Sequence, residues 1–214
     1  FFFKQKTAYE VVLRDWSSDV CSSDLLGVDL LSMAGHKLYA PKGIGALYVR
    51  TGLALEKFCH GAGQEKGRRA GTENVMGIVG LGKACELAGR DLAGCMARMR
   101  GLRERLHRGI TRRMGDVRLN GHPDQRLPNT LSLSFKGLAA NRLLEEIGLE
   151  VAASAGAACH ADSVAVSHVL EAMRVPAAWA AGTLRFSLGR FTTAAEVEQA
   201  AEVVADAASR LRGR

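Results

Sequence analysis

The sequence predicts an α/β fold, and three observations predict it. Short β-rich apolar runs, at residues 28–33, 45–50, 130–135, 151–155 and 184–188, alternate with segments whose apolar residues recur at helical spacing. Turn residues separate these runs, and such alternation argues for packed layers of helix and sheet. An apolar content of 47% is too high for a disordered chain, while no window reaches the roughly 18 uncharged apolar residues of a membrane-spanning helix.

In chain order, residues 1–25 come first and differ in character from the rest. Three phenylalanines lead into polar residues, Trp16 and a Ser/Asp-rich run with no structural period. Reverse translation of Asp15 to Leu25, and of Lys4 to Glu10, gives two regions of an adapter ligated to DNA for short-read sequencing, in the expected order. A targeting segment would be basic and poor in acids, whereas this stretch holds three Lys/Arg and four Asp/Glu. Residues 1–25 are therefore expected to be a non-native, disordered leader, with the native chain starting at Leu26 as the C-terminal part of a longer protein.

Two strands, 28–33 and 45–50, then bracket Lys37. A Gly- and charge-rich loop follows at 61–72, and 73–113 reads as long helix, kinked near Gly89 and Gly94. Residues 118–129 carry Asn, Gly, Pro and Asp turn signals, so a domain change is expected after Arg113. Beyond it come a strand at 130–135, a helix at 139–147, strands at 151–155 and 184–188 flanking a short helix at 167–173, and a last helix capped by Thr192, Thr193 and Glu196.

The formal charge is +7, and seven arginines crowd between Arg98 and Arg113. They interleave with Met99, Leu102, Leu106 and Ile110 at helical spacing, so a solvated helix face is expected rather than a nucleic-acid surface, which would bring a binding motif or interleaved aromatics. The five cysteines are odd in number and form no CxxC, and no signal peptide is evident, which favours a cytoplasmic protein with free thiols. Cys85 and Cys95, at helical positions, are expected to be buried. Cys159, His160 and His168 lack the spacing of metal ligands, and no metal site is expected.

Some positions could carry chemistry. Lys37, in Gly35-His36-Lys37, follows an apolar strand; buried at a strand end its amine would be a nucleophile, otherwise it is an exposed turn lysine. Cys159 lies in the small-residue loop Gly156-Ala157-Ala158-Cys159-His160, where the thiol is either accessible, with His160 favouring the thiolate, or structural. Arg185 sits within a strand, so a carboxylate partner is expected, from protein or substrate. The loop from Gly61 through Arg69-Ala70-Gly71-Thr72 offers amides, a hydroxyl and guanidinium groups to an anion such as phosphate.

Taken together, Gly35-His36-Lys37, Pro41-Lys42-Gly43-Ile44-Gly45, Arg69-Ala70-Gly71-Thr72-Glu73-Asn74, Leu127-Pro128-Asn129-Thr130, Ala157-Ala158-Cys159-His160 and Leu184-Arg185-Phe186-Ser187-Leu188-Gly189-Arg190 resemble the cysteine desulfurase and selenocysteine lyase family of fold-type I pyridoxal-phosphate enzymes. The resemblance runs from Leu26 to the end. It implies a C-terminal portion of the large cofactor domain over 26–113 and a small C-terminal domain with the cysteine loop over 114–214. It also implies that Lys37 binds pyridoxal phosphate covalently beside His36, that Gly71 and Thr72 serve the cofactor phosphate across a homodimer, and that Arg185 binds the substrate carboxylate. Cys159 would accept sulfur from L-cysteine, with a sulfur-acceptor protein downstream. In many relatives a Ser stands three residues before the lysine, where this chain has Ala34, and the Ala-Ala-Cys-His loop is similar to that of selenocysteine lyases, which release selenium from L-selenocysteine. The family's ring-stacking His, the acidic partner of the pyridine nitrogen and the main phosphate loop have no counterpart in this sequence, so the chain alone is expected to hold the cofactor poorly. A non-catalytic binding module is the reading of a different class, and the joint presence of Lys37, Cys159 and Arg185 speaks against it.

Overall fold

The computed structural model describes residues 27–155 and 167–213, so the leader lies outside the described residues. The chain divides into two compact units between Leu92 and Ala93.

In the first unit, β1 (Leu30–Ala34) and β2 (Gly45–Val49) form an antiparallel ribbon, in register from Leu30 opposite Val49 to Ala34 opposite Gly45. The link between them is tight. A 3-10 turn over Gly35–Leu38 ends at Tyr39 in the left-handed region (φ 64), and Gly35 N–H donates to Ile44 O at 2.9 Å. A Cβ at Gly35 would stand 2.7 Å from that same oxygen, so only glycine lets the two backbones approach this closely. After the loop, α1 (Val75–Arg90) is capped by Asn74, whose Oδ1 accepts from Gly77 N–H. Its Leu81 and Ala84 pack with Ala40 into a small core. Close approach again selects glycine, since a Cβ on Gly80 would lie 2.8 Å from the Pro41 ring.

The second helix, α2 (Leu92–Arg113), starts after a break at Asp91, between the two glycines where the kink was expected. The domain change expected after Arg113 is not where the compact units part. Leu102, Leu106 and Ile110 are buried in one core with the strands and helices that follow, so apolar packing assigns α2 to the second unit.

That unit adds β3 (Val117–Leu119), β4 (Thr130–Phe135), α3 (Ala140–Ile147), β5 (Ser154–Ala155), the short helices α4 (His168–Ala172) and α5 (Ala177–Ala180), β6 (Thr183–Ser187) and α6 (Ala194–Arg212). The sheet order is β3-β4-β6-β5, antiparallel throughout. Alternation sorts each strand between two faces. Leu131, Leu133 and Phe135 of β4 and Leu184 and Phe186 of β6 join Leu106, Ile110, Leu143, Ile147, Val204 and Ala208 in the main core. Capping follows the sequence pattern: Thr193 and Glu196 form a reciprocal capping box at α6.

Two elements differ from expectation for tertiary reasons. β3 lies in a stretch read as turn, because a three-residue edge strand is stabilised by its ladder to β4 rather than by its own composition. Only 154–155 of the strand expected at 151–155 pairs with β6, since Val151 N–H still donates to Ile147 O at 2.8 Å as the chain leaves α3.

The basic run on α2 is only partly a solvated face. Arg103 is buried and donates to Leu127 O at 2.6 Å and to Glu104. Arg98 reaches the carbonyls of Arg190 and Thr192, while Arg105 and Arg113 pair with Glu198 and Glu202 of α6. These contacts tie α2 to its own unit.

Glu104 is shared by Arg103 and Arg126, with His107 at 3.9 Å. Burial, then the charges of Arg126, Arg103 and Arg108, hold the His107 imidazole below its usual range against the pull of Glu104. Burial pushes Glu104 up, but the Arg103 hydrogen bond and the charges of Arg126, Arg103 and His107 bring it below the usual carboxylate range. Both groups bind fewer protons folded than unfolded, so their stabilisation is full above the unfolded values and is lost as pH falls from those values through the lower folded ones. The thermal midpoint is expected to drop as pH is lowered from about 7 to about 5, and His107→Gln is expected to flatten the upper part of that drop. An unchanged pH profile in the variant would remove His107 from the account.

Candidate active site

Lys37 and His36 lie on the 3-10 turn after β1, held by the Gly35 and Ile44 backbones. Both side chains are exposed, so among the described residues nothing buries the lysine at the strand end. The sequence placed the lysine correctly after a strand. Its burial depended on what covers the ribbon, which alternation along one strand does not reveal.

The loop before α1 is strained and self-bonded. Glu65 and Lys66 both take left-handed backbone angles, and Gly71 has φ +99. The Arg69 guanidinium donates to Gly71 O at 2.8 Å and Ala70 O at 3.2 Å and pairs with Glu65 at 3.5 Å. It therefore shapes the loop, leaving Thr72, exposed beside Gly71, as the hydroxyl available to an anion.

Arg185 is half-buried on β6, on the sheet face opposite the main core. Its cross-strand neighbours are Ser132 on β4 and Ser154 on β5. Of the two partners anticipated for it, a protein carboxylate is absent among the described residues. Cys159 and His160 lie outside the described residues. Ala155, the last described residue before them, is on β5, one residue beyond the position opposite Arg185.

Sequence reading missed the hydroxyl network on this face. Asn120 Nδ2 donates to Ser134 Oγ at 2.8 Å and Ser132 Oγ at 3.3 Å; Ser134 bonds Thr183 Oγ1 at 2.7 Å, and Thr183 donates to Trp179 O at 3.4 Å. Ser134 and Thr183 are buried. The available signal was the serine alternation in β4, which by itself also fits a solvated face.

Cys85 and Cys95 are half-buried rather than buried, with burial pushing the Cys85 thiol up, and Cys59 is exposed. Among the described residues no cluster of His, Cys, Asp or Glu is placed to hold a metal ion, and no helix is long and apolar enough to cross a membrane.

The family described as aminotransferase class-V matches residues 18–200, a span that begins inside the expected leader. A cysteine desulfurase of Gluconacetobacter diazotrophicus is 47% identical over 188 residues, covering 86% of this chain and 46% of that protein. The cysteine desulfurase IscS of Dictyoglomus turgidum is 44% identical, over 88% and 48% respectively. Among solved structures, a NifS-like protein superposes with TM-score 0.74 at 34% identity, over 88% of this chain and 48% of its own. A NifS-like protein of Rickettsia africae gives 0.77 at 28%, over 87% and 49%. The chain spans about half the length of the curated relatives it matches.

Proposed function

The chain belongs to the aminotransferase class-V family, and from that premise we propose that the protein carrying it is a pyridoxal-phosphate-dependent cysteine desulfurase, taking sulfur from L-cysteine as an enzyme persulfide and releasing L-alanine. The observation that carries the reading is Arg185: a half-buried guanidinium with no carboxylate partner among the described residues, on the strand that pairs with the root of the Cys159 loop. A cation in that position suits a substrate carboxylate.

The donor set fits the cofactor. Lys37 offers an exposed primary amine on a turn fixed by backbone hydrogen bonds, and Gly71 and Thr72 offer an amide and a hydroxyl of the kind that hold phosphate. When bound, the cofactor supplies an electron sink for charge developing at the substrate Cα. Lys37 removes the Cα proton, with His36 beside it, and Arg185 holds the carboxylate. The Cys159 thiolate attacks the substrate sulfur; the new S–S bond forms as the Cβ–S bond breaks, and the three-carbon remainder leaves as alanine after protonation. Thr72 and Gly71 serve the phosphate of a partner subunit in a homodimer, and the persulfide passes to an acceptor protein.

In the full-length protein, Cys159→Ser is expected to abolish sulfide release from L-cysteine while the cofactor absorbance is retained. Undiminished release would overturn the reading. The Ala157-Ala158-Cys159-His160 loop keeps selenocysteine lyase as the second reading, and a parallel assay with L-selenocysteine separates them: selenide formed without sulfide would assign the lyase.

A further inference from the structure

Arg185 on β6, Ser132 on β4 and Ser154 on β5 are three side-chain donors at one level of the sheet, and among the described residues none of them has an acceptor. Ser132 stands directly across from Arg185 on β4, on the same face, where side chains of facing residues come within about 5 Å at Cβ. The hydrogen-bond chain assigns the protons of the neighbouring groups. Thr183 donates to Trp179 O, so Ser134 donates to Thr183 and accepts from Asn120; the hydroxyl proton of Ser134 is already committed. Asn120 turns its second amide hydrogen to Ser132 Oγ. Ser132 thus accepts one hydrogen bond from Asn120 and keeps its O–H free to donate, and among the described residues no group accepts it.

Two of these half-buried donors, the planar fork of Arg185 and the Ser132 hydroxyl, lie side by side with no acceptor between them among the described residues, which calls for an anion with several in-plane lone pairs. We propose that Ser132, oriented by Asn120, is a second substrate-binding residue that donates to the same α-carboxylate as Arg185. The proposal rests on the reading of Arg185 as the carboxylate-binding residue. The buried Asn120 Oδ1, which has no partner, agrees with an amide set by its donor side.

The test is steady-state kinetics on the full-length holoenzyme with L-cysteine, together with the thermal midpoint. Ser132→Ala is expected to raise KM roughly two- to tenfold with kcat and the midpoint nearly unchanged, and Ser132→Thr, which keeps the hydroxyl, to restore KM. Arg185→Ala runs alongside. If it raises KM and Ser132→Ala does not, the Ser132 proposal fails while the functional reading stands. If Arg185→Ala also leaves KM unchanged, both fail. A KM rise in Ser132→Ala that Ser132→Thr does not restore assigns a packing role and overturns the proposal.

Discussion

Arg185→Ala is expected to lower kcat/KM for L-cysteine in the full-length enzyme by roughly 10- to 100-fold, the loss of a charge-assisted hydrogen-bond pair of about 1.5–3 kcal/mol. Most of the effect should appear in KM. The same change should not destabilise the protein, because the guanidinium is half-buried and has no acceptor among the described residues, so removing it breaks no such contact and relieves desolvation. Arg185→Lys keeps the charge but not the planar fork and is expected to fall between the two. Kinetics and a thermal melt on the three proteins check this together. A fall in the melting midpoint with unchanged KM would make Arg185 a structural residue and remove the main support for the carboxylate site.

Gly182→Ala is expected to be the most damaging one-carbon change in the second unit. Gly182 lies where the chain enters β6: its carbonyl accepts from Phe135 N–H at 3.0 Å, and its own N–H donates to Trp179 O at 3.1 Å. A Cβ there would fall 2.2 Å from Phe135 O and 2.8 Å from Leu138 O, both backbone atoms without a rotamer to move. Relief requires β4 and β6 to part at their buried end, beside Phe135 and Leu184. The cost is about 3 kcal/mol or more, which lowers the melting midpoint by roughly 10 °C or more. Calorimetry or circular dichroism on the chain reads this directly. Gly43→Ala makes a useful comparison, since φ +87 strains the backbone there but nothing lies within 4 Å of the added carbon. A milder loss in Gly182→Ala than in Gly43→Ala would show that the sheet end yields easily.

Much of the fold was legible along the chain. The strand at 130–135 and the Thr193–Glu196 cap appear as the residues predict, because alternation and capping are local properties that hold wherever the element sits. What was not legible depended on partners distant in sequence. The short strand β3 exists through its ladder to β4, and the division at residue 92 rather than 113 depends on which apolar face α2 meets.

The candidate site divides in the same way. Sequence by itself determined that a lysine follows the first strand on a glycine-framed turn, that Arg185 lies in a strand, and that the chain carries the motifs of a class-V aminotransferase, since these are matters of residue type and spacing. Only the tertiary structure decided that serines rather than a carboxylate face Arg185, that Arg69 is consumed by its own loop, and that Asn120 orders the serine row. Cross-strand register and hydrogen-bond direction arise from pairing between segments tens of residues apart, and no local pattern specifies them.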